Sequence, residues 1–348
     1  MRILILGNNY VQNRLSDYFK RKDDNIIFSN SVFEELNINL SNLSDIEDFC
    51  KVNDINFVIP TEDRYVTDDF ENIFNKLGIT YFAPSESSFD ICKYKSCAKK
   101  FAYKNKINSA KFFITEKPQP AFDFLKSTSY PIAIHPDMKS YTECVKFAET
   151  HSKAQNFINK LFATGNKKIV LEDYIAGKNI VFWAISDGYS AKKIGTVAKY
   201  QDNISFFNPD FITDELEAKI QKDIIEPTIL NLSMEQEEYI GIIGFDIILS
   251  NDNTPYLVGY KGFFDDLSID FFLNTYNFDW LEVFESCIKG DVFLKYEFNP
   301  SCDYMLAIRE GEEIDFISAK TKRNLKKYIE ELGLDKNLYT EAVKIWKY

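Results

Sequence analysis

The side chains that most often do chemistry are scarce or scattered in this sequence. Only two histidines occur, His135 and His151. That argues against a multi-histidine metal site and leaves little imidazole for acid–base work. The six cysteines, Cys50, Cys92, Cys97, Cys144, Cys287 and Cys302, form no C-x-x-C pair. Neither a zinc spacing nor a disulfide framework is expected, and reduced thiols point to a cytoplasmic location. Thirteen glycines among 348 residues are about half the ~7% usual for proteins. Loops that cradle phosphate need glycine, because the backbone must come close to the anion and adopt positive φ. The turn after the first apolar run, Gly7-Asn8-Asn9-Tyr10, holds one glycine where a dinucleotide fingerprint has three. The basic group Lys320, Lys322, Arg323, Lys326 and Lys327 reads as a solvated helix face.

The elements that must position any site follow from composition and periodicity. At 45% hydrophobic and 27% charged residues, the chain has the balance of a folded protein. Its net charge of −12 sets it against nucleic acid and anionic lipid as partners. No apolar run approaches the ~18 residues of a membrane span; the best, 240–249, is interrupted by Asp246. The opening residues 1–7 read as a strand rather than a signal peptide. Strand and helix patterns alternate through the first 90 residues: strands at 2–6, 26–28, 57–60 and 80–83, and helices at 9–22, 44–52 and 68–77. Ser44-Asp45-Ile46-Glu47 reads as a capping box and Gly78 as a helix-closing glycine. Such alternation predicts a parallel sheet with helices on both faces. A single long helical pattern covers 85–106. Residues 110–175 read as strand, helix, strand (131–135), helix (141–162) and strand (168–175). Residues 178–290 read as two strands, a long helix (213–232), a hairpin (240–261) and a helix (278–288). The tail adds a hairpin (304–308, 313–317) and helical pieces.

A set of landmarks in consistent order resembles the phosphoribosylamine–glycine ligases, ATP-grasp enzymes of purine biosynthesis. Phe82-Ala83-Pro84-Ser85 is similar to their FGPS element, and Tyr94-Lys95-Ser96-Cys97-Ala98-Lys99-Lys100-Phe101 to GSKAFAKDFM. Pro131-Ile132-Ala133-Ile134 resembles PIVVK, and 170–177 resembles the hinge VIEEFLDG. Ile212-Thr213-Asp214-Glu215-Leu216 through Glu226-Pro227-Thr228 is the closest local match. The resemblance covers about residues 1–290. It implies an α/β ATP-grasp fold with a Rossmann-like N-terminal domain (1–92) and a connecting helix (93–109). A small α+β subdomain (110–176), a larger α+β core (177–292) and a partial C-terminal domain (293–348) would follow.

The resemblance also assigns roles one residue at a time. ATP and Mg²⁺ are the implied ligands, because a carboxylate is activated by phosphorylation and the protein must neutralise the transferring group. Lys95 falls at one phosphate-binding lysine, and His135 stands where the second would be. The glycine-rich lid is replaced by 136–144, which has no glycine, and Glu143 takes a lysine position. Glu172, Asp173, Tyr174 and Ile175 form the adenine hinge, and Asn179 takes the ribose-binding glutamate position. On the metal strand Val258, Tyr260 and Gly262 replace the Glu and Asn that hold Mg²⁺ and the Arg that holds phosphate. Asp246 and Asp265 are the remaining metal candidates, with Asp266 beside them and Lys261 as a partial substitute for the arginine. The substrate segment shrinks to 199–209.

Two readings follow, beside that of a simple interaction or structural protein with no nucleotide site. In the first, the chain is a ligase-like protein with degenerate phosphate- and metal-binding residues that binds a small ligand or a protein partner in the old cleft. In the second, it is a working ATP-dependent carboxylate–amine ligase with a changed substrate or a relocated metal site.

Overall fold

The computed structural model describes residues 1–21, 26–29, 42–137, 145–200, 204–301, 304–311 and 313–331. The first strands are Arg2–Leu6 (β1), Ile26–Phe28 (β2), Phe57–Pro60 (β3) and Thr80–Tyr81 (β4), in the all-parallel order β2-β1-β3-β4. From Ile3 on, β1 is an unbroken apolar run, and so is β3, as strands covered on both faces must be. Gly78 closes the helix Asp68–Leu77 at φ +67, as its position predicts. The helix Leu43–Val52 starts two residues earlier than the capping-box reading placed it. Asn42 is its cap, its side chain accepting from the Ser44 amide at 3.1 Å.

Next come Phe112–Thr115 (β5), Ile132–Pro136 (β6), Lys146–Ala148 (β7) and Ile169–Asp173 (β8), an antiparallel sheet ordered β5-β8-β6-β7. Helices Pro118–Leu125 and His151–Ala163 cover one face, packing on Ile132, Ile134, Ile169 and Leu171. Strand alternation then puts Ala133, His135, Val170 and Glu172 on the opposite face. The helix expected over 141–162 begins instead at His151, where the Thr150 hydroxyl accepts from the Lys153 amide. The residues before it pair with β6 as β7, and 141–144 lie outside the described residues.

The core is a seven-stranded antiparallel sheet, β13-β12-β9-β10-β11-β14-β15. Its strands are Gly177–Gly188 (β9), Ala191–Tyr200 (β10), Ile204–Phe207 (β11), Tyr239–Ser250 (β12), Pro255–Lys261 (β13), Tyr304–Glu310 (β14) and Glu313–Ala319 (β15). One face packs on Glu86–Lys93, Lys95–Lys104 and the 214–234 helical segment, in which a π-helical stretch, Gln221–Ile225, interrupts the long helix expected there. The other packs on Asp266–Thr275, Trp280–Lys289 and the N-terminal sheet. The tail hairpin, expected to open a further domain, continues this sheet, Ile204 pairing with Ile308. Similarly, the helix expected over 85–106 is two. Tyr94 is extended (φ −120, ψ 124) and separates Glu86–Lys93 from Lys95–Lys104.

A buried charge fixes the N-terminal domain to the core. Asp270, 1% exposed, takes Arg14 Nε at 2.7 Å and the Tyr10 hydroxyl at 2.8 Å. Removing one partner leaves a carboxylate out of water with too few donors. Arg14→Met is expected to destabilise the protein by about 2–3 kcal/mol, less than a fully orphaned charge because Tyr10 still donates. Urea unfolding of the two proteins checks this.

Candidate functional site

The break at Tyr94 starts a new helix at Lys95. On it, Lys95 and Lys99 lie one turn apart and point the same way. Both are buried, at 0% and 1% exposure. The Ser96 amide and hydroxyl each donate to Asp137 at 2.7 Å, so a carboxylate from the end of β6 caps this helix. The uncovered face of the small sheet meets the lysines. Glu172 on β8 takes Lys95 Nζ at 2.6 Å on Oε1 and Lys99 Nζ at 2.6 Å on Oε2. His135 on β6 places Nε2 3.2 Å from the same Oε1. Lys95 also donates to the Val258 carbonyl on β13 at 2.7 Å. One ammonium thus joins the small sheet, the connecting helix and the large sheet.

Electrostatics sets the protonation states. Burial pushes the Glu172 carboxyl up, but Lys95, Lys99 and His135 outweigh it and bring it down to about 2. Burial pulls the Lys99 ammonium below the ordinary lysine range, against the attraction of Glu172 and with the repulsion of Lys95.

Three of the expected nucleotide residues, Lys95, His135 and Glu172, therefore come together. The other four lie along the chain leaving the cluster. The Asp173 amide donates to the Lys111 carbonyl. Tyr174 is exposed and edge-on to Phe147 at 5.6 Å. Ile175 is half-buried, and Asn179 is exposed on β9 opposite Ile248. Lys99 was not singled out from sequence. Its signal is the four-residue spacing from Lys95 on a helix that carries both to one face.

The metal candidates each face a cation. Asp246 on β12 lies diagonal to Lys261 on β13, Nζ to Oδ2 3.9 Å. Asp265 faces Lys199 at 3.4 Å and accepts from the Ser268 hydroxyl. Burial raises the Asp265 carboxyl, but Lys199 and Lys261 more than offset it. Asp266 pairs with Arg309. Val258 sits in a β-bulge, between the pairs Asp246–Gly259 and Ile247–Leu257, and spends its carbonyl on Lys95. Tyr260 turns into the core against Phe101 and Phe245, its hydroxyl 3.2 Å from that of Thr228. A Cβ at Gly262 would fall 2.0 Å from the Phe89 ring, so an arginine has no room there. Among the described residues no three His, Cys, Asp or Glu side chains group to hold a metal ion. Mg²⁺ wants six oxygen donors in near-octahedral geometry, and this donor set does not fit it. The lid residues 138–144, with Glu143, and residues 201–203 of the substrate segment lie outside the described residues.

The model of the phosphoribosylglycinamide synthetase ATP-grasp (A) domain matches residues 93–269, just over half of the chain. The chain belongs to that family. The phosphoribosylamine–glycine ligase of Clostridium acetobutylicum is 24% identical over 246 residues, which span 65% of this chain and 58% of that protein. The Fusobacterium nucleatum enzyme is 24% identical over 292 residues, spanning 78% and 68%. Among solved structures, the Thermotoga maritima phosphoribosylamine–glycine ligase superposes with a TM-score of 0.76 at 16% identity, over 96% of each chain. An L-amino acid ligase from Bacillus licheniformis superposes at 0.69 and 12% identity, over 95% of this chain and 96% of that one. At such identities the structures bear on the fold alone, which is the ATP-grasp α/β fold expected from sequence.

The ionic cluster makes two predictions. Glu172→Gln leaves two buried ammonium groups without their counter-charge and should cost about 3–5 kcal/mol. Lys99→Met removes a cation that burial already disfavours, leaves Lys95 and His135 on Glu172, and should cost no more than about 1–2 kcal/mol. Urea titrations of the three proteins should rank them in that order. The second concerns pH. The folded Glu172 ionises far more readily than the unfolded one, so its contribution is complete above the ordinary glutamate range and drains as pH falls toward 2. The loss is about 3 kcal/mol. Unfolding free energy measured across pH 6 to 2 should fall by roughly that much more in the parent than in Glu172→Gln.

Proposed function

We propose that this protein keeps the ATP-grasp scaffold as a binding module and does not turn over as a magnesium-dependent ligase. The reading rests on one observation: lysines already face the carboxylates a metal would need. Glu172 supplies the anion that Lys95, Lys99 and His135 face, and of these only His135 departs from the residue types of the family motifs. Two buried ammonium groups would be unstable if left unmatched, which is why Lys95 and Lys99 share an internal carboxylate. Phosphoryl transfer depends on electrostatic groups aimed at developing charge. Losing one such group costs about 10²–10³ in rate, and here a second phosphate lysine, both metal ligands and a phosphate arginine are all replaced. What remains is a hinge, a buried cationic helix start and a fold suited to a small anionic ligand or a protein partner.

The test is direct. The full chain, given Mg²⁺, ATP, glycine and phosphoribosylamine, should release ADP slower than about 10⁻² s⁻¹, against the ~10 s⁻¹ typical of enzymes. ADP formation at an ordinary enzymatic rate, dependent on both co-substrates, would overturn the reading. It would favour the alternative, a working ATP-dependent carboxylate–amine ligase.

A further inference from the structure

The misfit between the metal strand and Mg²⁺ has a specific structural form. Asp246 stands opposite Gly259, and Gly244 opposite Lys261, so strand alternation brings the Asp246 carboxylate and the Lys261 side chain to the same face. The bulge at Val258 sets this register. Both side chains are mostly buried, about one-sixth exposed (16% and 17%), with Nζ 3.9 Å from Oδ2. Just beyond β13, Asp265 is faced by Lys199 at 3.4 Å. The other positions that could ligate a metal are spent: the Val258 carbonyl on Lys95 and the Tyr260 hydroxyl beside Thr228.

We propose that the Lys261 ammonium is a resident cation that replaces a divalent metal ion beside Asp246, with Lys199 doing the same for Asp265. An ammonium carries one charge and needs at most three acceptors, whereas Mg²⁺ needs six oxygens and keeps several waters. Each ammonium satisfies its carboxylate directly, whereas a divalent ion here would draw most of its oxygens from water and could enter only once the like charge beside it is gone. The consequence is that the cleft needs no divalent cation to neutralise Asp246. It also repels one, because Lys261 already places positive charge there.

The experiment uses Mn²⁺ as the probe, read by electron paramagnetic resonance on the full chain, with no nucleotide present. The parent protein should bind no Mn²⁺ tighter than about 1 mM, the weak end of carboxylate cation sites. Lys261→Ala and Lys261→Gln, each checked for an unchanged thermal transition, should gain Mn²⁺ binding at least about tenfold tighter, since removing a like charge and freeing a carboxylate act together. Adding Asp246→Asn should abolish the gain. Tight Mn²⁺ binding by the parent overturns the proposal. So does a folded Lys261 variant that gains nothing, or a gain that survives Asp246→Asn. The readout is independent of turnover: ADP formation without Mn²⁺ binding would refute the function proposed above and leave this inference standing.

Discussion

Charge neutralisation in a place water cannot reach is the constraint on which the middle of this molecule depends. Glu172, Lys95, Lys99 and His135 are all at most 4% exposed. None of them could be ionised there alone, since an isolated buried ion carries a desolvation cost of several kcal/mol even after relaxation. Together they make one permissible unit. Because its members come from β6, β8 and the 95–104 helix, with Lys95 reaching β13 as well, the unit also fixes how the small sheet sits on the large one. Its contribution is more to geometry than to net stability, because Coulomb attraction in such networks largely repays desolvation.

The same rule recurs elsewhere. Asp270 is buried at the junction of the N-terminal helix and the core and is matched by Arg14 and Tyr10. Nearer the surface, the partly exposed Asp266 pairs with Arg309 from the tail hairpin. Asp246 and Asp265 are matched by lysines. The net charge of −12 therefore says little about the interior. Acidic residues at these junctions carry their own cations.

The order of elements was legible in the sequence because burial imposes periodicity. Continuous apolar runs marked β1 and β3, and Gly78 marked a helix end. The landmarks around 82–101, 131–134 and 170–177 placed the chain among the ATP-grasp ligases. Local errors came where tertiary pairing overrode local pattern. Residues 146–148 continue a helical-looking stretch yet pair with the edge of β6. The pattern over 85–106 reads as one helix because its apolar spacing continues through Tyr94, where the backbone does not. The tail hairpin reads as a separate unit because nothing local announces that β14 pairs with β11.

By itself, the sequence determined which residue types stand where the resemblance places phosphate and metal groups: Lys95, then His135 for a lysine, Val258 and Tyr260 for metal ligands, and no glycine over 136–144. Side-chain chemistry is a local property, so those losses can be read without coordinates. Only the tertiary structure decided what took their place. That Glu172 collects Lys95, Lys99 and His135, and that Lys261 turns toward Asp246, depends on strand register, a bulge and a helix break. The buried cluster joins residues 37 to 163 positions apart, and the Lys261–Asp246 contact crosses a bulged hairpin; no local pattern encodes them.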